Sequence, residues 1–180
     1  MALTALQVCA AIDSFAPFAL AEAWDNVGLL AGSPDMQVRG ILCALELNPM
    51  VLEEALRQDC NLIVTHHPIL FHARKNLRED EPEGAMLCVL VRNQMALISA
   101  HTNFDNAAPG VNDALAERLA LENVEAGESG LRTGTPQQAT LGAFADHVRQ
   151  CLGGAVRVYG EPERTIRCVA VLGGAGGDFA

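Results

Sequence analysis

Two rhythms of apolar and polar residues alternate along this chain. Short, largely apolar runs occur at about 40–46 (Gly-Ile-Leu-Cys-Ala-Leu-Glu46), at 62–65 (Leu-Ile-Val-Thr65) and at 96–100 (Ala-Leu-Ile-Ser-Ala100). Runs of this length and β-branched content predict strands buried on both faces of a parallel sheet. Between them lie segments with helical spacing. Residues 3–14 place Leu3, Leu6, Val8, Cys9 and Ile12 on one face before Pro17, and Asn48-Pro49 gives an N-cap and a first-turn proline for a helix over 49–58. A charged loop from Arg74 to Glu83 precedes a helix near 84–94, and Gly110-Val-Asn-Asp113 starts another, through about Leu119. Strands alternating with helices predict an α/β fold, a mainly parallel sheet flanked by helices, with right-handed crossovers that bring the carboxyl ends of the strands to one edge.

The second half has a weaker pattern. Residues 121–136 contain Gly127, Gly130, Gly134 and Pro136, and they predict a loop connecting two related halves of a single domain over 1–180. A helix is predicted over 137–152, a short strand over 155–159, and a strong apolar strand over 165–172 that enters the glycine-rich turn Gly173–Asp178. The chain ends at Ala180, before a crossover helix, so the C-terminal half is expected to be incomplete.

Composition narrows the possibilities. Half of the 180 residues are apolar and 19% are charged, which suits a well-filled globular interior. The formal charge of −10 and the single lysine, Lys75, argue against nucleic acid as a partner. None of the six cysteines forms a Cys-x-x-Cys pair, and Cys43, Cys88 and Cys168 sit inside apolar runs, so buried thiols in a reducing compartment are expected. With no convincing signal peptide and no apolar run of membrane-spanning length, the expected location is cytoplasmic, without a membrane partner.

The chemistry gathers at the strand ends. His66-His67-Pro68 follows the strand at 62–65 without transition, and His101-x-x-x-Asp105 follows the strand at 96–100. Ligands in open α/β sheets bind at such carboxyl edges. Imidazole and carboxylate donors together suit zinc, iron, manganese or cobalt. Adjacent residues in an extended segment point apart, so His66 and His67 are better placed to hold two neighbouring ions, or one ion and a substrate, than to chelate one. Asp105, with lone pairs on both oxygens, is the natural bridge between two ions. Two-metal sites support hydrolysis by activating water and clamping the leaving oxygen. The competing structural role for the His pair is capping of loop carbonyls.

Other residues receive blander roles. Trp24 is expected as a core anchor, and Asp25 and Asn26 as turn formers. Glu46 is an outer or solvated carboxylate, His72 a loop residue, and His147 a surface residue. The glycine run after 172 lacks the Lys-Ser/Thr of a phosphate-binding loop.

Three motifs resemble one family: Leu20-Ala-Glu-Ala-Trp24-Asp-Asn-Val-Gly28-Leu-Leu, Val64-Thr-His66-His67-Pro68-Ile-Leu-Phe71, and Ser99-Ala-His101-Thr-Asn-Phe-Asp105 through Gly110-Val-Asn-Asp113. In this order they are similar to the dinuclear metal centre family, whose members are often labelled GTP cyclohydrolase 1 type 2 homologues. The resemblance runs from about residue 3 to the end. It implies an α/β core of two related halves, a pair of divalent metals per site (one or two here), and a ring-shaped homo-oligomer, commonly a hexamer. His66, His67 and Asp105 match family metal ligands. His101 lies beside the metals, as the candidate proton shuttle. The family's C-terminal His-x-x-x-Glu has no counterpart before residue 180. The expected function is a metal-dependent hydrolase acting on a small molecule, nucleotide-like substrates included. The alternatives are a non-catalytic metal-binding or adaptor module and, lower, an Asp-His-His phosphoesterase, which Thr65 in the aspartate position disfavours.

Overall fold

In the computed structural model, residues 3–174 and 176 are described, and the chain divides into two compact units, one up to Phe104 and one from Asp105 onward. The first unit holds the parallel sheet. Strands β1 (Gly28–Ala31), β2 (Ile41–Ala44), β3 (Leu62–Thr65) and β4 (Ala96–Ser99) lie in the order β1-β4-β3-β2. β2, β3 and β4 are parallel, while β1 runs antiparallel to β4 with Gly28 opposite Ser99.

Alternation along the two central strands explains their uninterrupted apolar runs. Ile63 and Leu97 point to one face, where they join Leu52 and Ala55 of helix α2 (Pro49–Arg57) and Leu87 and Leu90 of helix α3 (Pro82–Arg92). Leu62, Ala96 and Ile98 point to the other, against Ala5, Cys9 and Ile12 of helix α1 (Ala5–Phe15). Each strand therefore feeds two cores. The helix starts follow the local sequence. Thr4 and Gln7 form a reciprocal capping box on α1, and the Asn48 side chain accepts from the Val51 N–H at 3.0 Å. β2 is the edge strand and is exposed on one face, so Cys43 is exposed rather than buried as its apolar setting suggested.

The second unit departs further from expectation. Residues 121–136 are not a loop: they form strand β5 (Glu122–Ala126), a short 3-10 turn over Glu128–Gly130, and strand β6 (Arg132–Thr135), paired antiparallel. The boundary between compact units falls after Phe104 instead. The strand predicted over 165–172 is only β7 (Val169–Val171), which is antiparallel to β6, and Cys168 is exposed; residues 155–159 are not a strand. β5 is exposed at every position, so its cross-strand ladder rather than burial holds it, and an alternating hydrophobic signal is missing from its sequence. Helices α5 (Val111–Arg118) and α6 (Leu141–Leu152) cover this small sheet through Ala116, Phe144 and Val148, joined by Leu119 just past the end of α5. The Gly173 N–H is fixed by the Asn112 side chain at 2.7 Å; Ala175 and the rest of the predicted glycine turn after Gly176 lie outside the described residues. No helix among the described residues is long and apolar enough to cross a membrane.

Candidate metal centre

Parallel neighbours β3 and β4 end side by side, with Thr65 opposite Ser99, so the residues that follow them share one sheet edge. Beneath the site, the buried hydroxyls of Thr65 and Ser99 are 2.8 Å apart, and Thr65 Oγ1 also donates to the carbonyl of His67 at 3.0 Å. This fixes the backbone from which His66 and His67 project. One ligand atom from each of His66, His67 and His101 lies within 4.8 Å of the others. Two nitrogens bound to one zinc ion at about 2.0–2.1 Å can be no more than about 4.2 Å apart. Nitrogens gathered this closely could serve one ion or a pair of neighbouring ions.

The proton positions favour cation binding. His66 Nδ1 is 2.9 Å from the Ala100 carbonyl, which can only accept, so Nδ1 carries the hydrogen and the lone pair of the neutral ring is on Nε2. His101 Nδ1 is 2.9 Å from Asp25 Oδ1, with the same consequence. Histidines that ligate metals commonly donate their second N–H to a carbonyl or carboxylate in this way, which fixes the tautomer and raises ligand basicity. The donor set and its supports thus fit a divalent ion. His67 is half-exposed, and its Nδ1 is 3.7 Å from the exposed carboxylate of Glu46, two residues past the end of β2.

Asp25 is the residue that sequence reasoning missed. Its side chain is wholly buried, at 0% exposure. Oδ1 accepts from His101 Nδ1 and from the Asn26 N–H at 2.8 Å, and Oδ2 accepts from the Thr102 N–H at 3.0 Å and from the Thr102 hydroxyl. Burial alone would raise its pKa, but the hydrogen bonds from His101, Thr102 and Asn26 outweigh burial and hold it below the usual carboxylate range. The direction of β1 is the reason for the miss. An antiparallel strand puts its beginning, not its end, at the carboxyl edge of β4, and so Trp24-Asp25-Asn26 arrives beside His101. The signal that could have found it is an Asp immediately before a short strand, a pattern that turns also produce.

Trp24 is likewise no core anchor: it is 59% exposed, with its ring 6.2 Å from that of His101. Asp105 lies in the single-turn helix α4 (Thr102–Asn106), four residues past His101 and at the start of the second unit. The structure brings together His66, His67 and His101. His72 is an exposed loop residue whose ring packs against Phe71. His147 is half-buried rather than on the surface, with Nε2 donating to the Leu119 carbonyl at 3.0 Å.

The first unit is thus a three-layer α/β fold with three imidazoles converging at the carboxyl edge of its sheet, a cluster that could hold a metal ion. The model of the Duf34/NIF3 (NGG1p interacting factor 3) family matches residues 3–180, and the chain belongs to that family. A Clostridium acetobutylicum protein named GTP cyclohydrolase 1 type 2 homolog is 34% identical over 190 residues, covering 99% of this chain and 71% of that protein. A Streptomyces coelicolor protein of the same name is 35% identical over 184 residues, covering 94% of this chain and 65% of its own length. The chain thus spans about two thirds of these relatives. The crystal structure of a hypothetical protein from Staphylococcus aureus matches with a TM-score of 0.90 at 26% identity, covering 99% of this chain and 74% of that one.

Proposed function

We propose that this chain carries a divalent-metal centre of a hydrolase that acts on a small molecule. The observation that carries the proposal is the convergence of His66, His67 and His101, with the Nδ1 atoms of His66 and His101 each committed to an acceptor. In this proposal His66 and His67 are ligands, and Asp105 is the carboxylate that bridges or completes the centre. A divalent ion at such a site supplies Lewis acidity and makes water a usable nucleophile near neutral pH. His101 accepts and returns a proton at Nε2 while Asp25 holds Nδ1–H in place, a task suited to an imidazole. The name shared by the relatives makes nucleotide-like compounds the first substrates to try, and a homo-oligomer, hexameric by family resemblance, is the proposed assembly.

Two measurements test the assignment. Asp105→Asn is expected to lower the metal retained after loading with zinc or manganese, while His147→Ala leaves it unchanged; equal content in both variants, by elemental analysis, removes Asp105 from the ligand set. The zinc- or manganese-loaded chain is then incubated with nucleoside triphosphates and the products separated by chromatography. Conversion that depends on metal and falls in His101→Ala, with metal content retained, supports catalysis. Bound metal without conversion points to a non-catalytic binding module.

A further inference from the structure

We propose that Trp24 and Phe71 form a corner that binds a planar, bicyclic nitrogen heterocycle next to the histidine cluster. This deepens the hydrolase proposal and rests on it. The chain has a single tryptophan, and that residue is 59% exposed, while Phe71 beside it is 40% exposed. The two ring centroids are 5.7 Å apart and the planes meet at 65°. Each ring is also 6.2 Å from the ring of His101. A flat ring stacked on the indole would present its edge to the phenyl ring, so both preferred aromatic geometries are satisfied at once. Indole is itself bicyclic, and overlap is greatest with a ligand of two fused rings.

The corner is pinned rather than loose. The Asn26 side-chain amide donates to the Leu70 carbonyl at 2.7 Å, which ties the loop of Trp24 to the loop of Phe71. Asp25, wholly buried between them in sequence, ties the first loop to His101 and Thr102. Exposed apolar rings held this firmly are a preorganised surface, which lowers the ordering cost of binding a rigid partner. Their distance from His101 places a stacked ring within reach of the metal ligands, where its polar edge meets the chemistry.

Trp24 is its own reporter, because no other residue contributes indole emission. The full chain, with and without zinc, is titrated with guanosine and, as a ring-free control, ribose, while tryptophan emission is followed. Guanosine is expected to quench the emission saturably and ribose to leave it unchanged. Phe71→Ala should weaken guanosine binding about tenfold, and Trp24→Ala should weaken it at least as much by equilibrium dialysis, in line with the usual contribution of base stacking. Unchanged circular dichroism will confirm that the variants are folded. No saturable quenching at millimolar guanosine, or equal affinity in Phe71→Ala, overturns the proposal. So does emission that responds to chain concentration and not to guanosine, which would assign the corner to a second copy. Quenching that persists in the double variant His66→Ala/His67→Ala, with no metal bound by the wild type, would leave the ring site standing and remove the metal centre. Metal binding without quenching would do the reverse.

Discussion

Asp25→Asn is expected to lower metal-dependent conversion about 10- to 100-fold with bound metal retained, because Asp25 fixes the tautomer of His101, the proposed proton shuttle, and losing such a partner typically costs that much in activity. The present carboxylate accepts at both oxygens: from His101 and Asn26 on one side, and from the Thr102 N–H and hydroxyl on the other. An amide can accept at only one end. If its NH2 faces His101, Nδ1 must become an acceptor, the hydrogen moves to Nε2, and the lone pair turns away from the cluster. If it faces Thr102 instead, it meets a backbone N–H that has no alternative. The tautomer change separates this effect from general destabilisation: nitrogen NMR of the His101 ring should show protonated Nδ1 in the wild type and a shifted or mixed population in the variant. Unaltered conversion and unaltered His101 resonances would reduce Asp25 to a turn former.

The second large effect concerns stability. Arg132 opens β6 with its side chain 4% exposed, and it makes a two-pronged contact with Asp113 at 2.6 and 2.9 Å. Its remaining N–H groups reach the carbonyls of Gly130, Leu131 and Ala107. One guanidinium thus fastens the start of α5, the turn before β6 and the loop after α4. Arg132→Met would leave the carboxylate with only the Gly110 N–H and the buried carbonyls without their donor; breaking a buried pair from one side costs about 3–5 kcal/mol, and with Asp113 29% exposed the lower end, about 3 kcal/mol, is expected. Urea denaturation followed by circular dichroism measures the loss, and a change well under 1 kcal/mol would show that water replaces the guanidinium. The same pair sets an acid limit. The hydrogen bond from Arg132 holds Asp113 below the ordinary carboxylate value, with burial partly opposing it. A depressed folded pKa contributes stability above the unfolded value of about 3.9. That contribution is lost as pH falls through the folded value, so the wild type loses more stability below about pH 4 than Arg132→Met does.

How much of this was legible depends on what holds each element. β3 and β4 announce themselves because strands buried on both faces need unbroken apolar runs, and the histidines stand out because they interrupt such runs. Parallel order then follows from the intervening helices, and with it the shared edge of His66, His67 and His101. Gly28-Leu-Leu-Ala31 reads as a short strand between a polar turn and Gly32, but nothing within it records which way it pairs, and Asp25 was lost for that reason. In the second unit, Glu122-Asn-Val-Glu-Ala126 is fully exposed and held by its ladder, so it has no burial pattern to read. Arg132 fell inside the misread loop and its partner looked like a helix-start aspartate. Asp113 does accept from the Gly110 N–H at 2.8 Å, but the ion pair across the fold has no local trace in the sequence.

A metal centre built on His66 and His67 is tested most directly by X-ray absorption of the zinc-loaded chain, alongside His66→Ala/His67→Ala and His101→Ala. In the wild type, nitrogen scatterers at about 2.0–2.1 Å with the outer-ring pattern of imidazole are expected, and the double variant should lose both the pattern and the bound zinc. A wild-type shell of oxygen alone, or a spectrum unchanged by removing His66 and His67, would contradict a metal centre at this edge of the sheet.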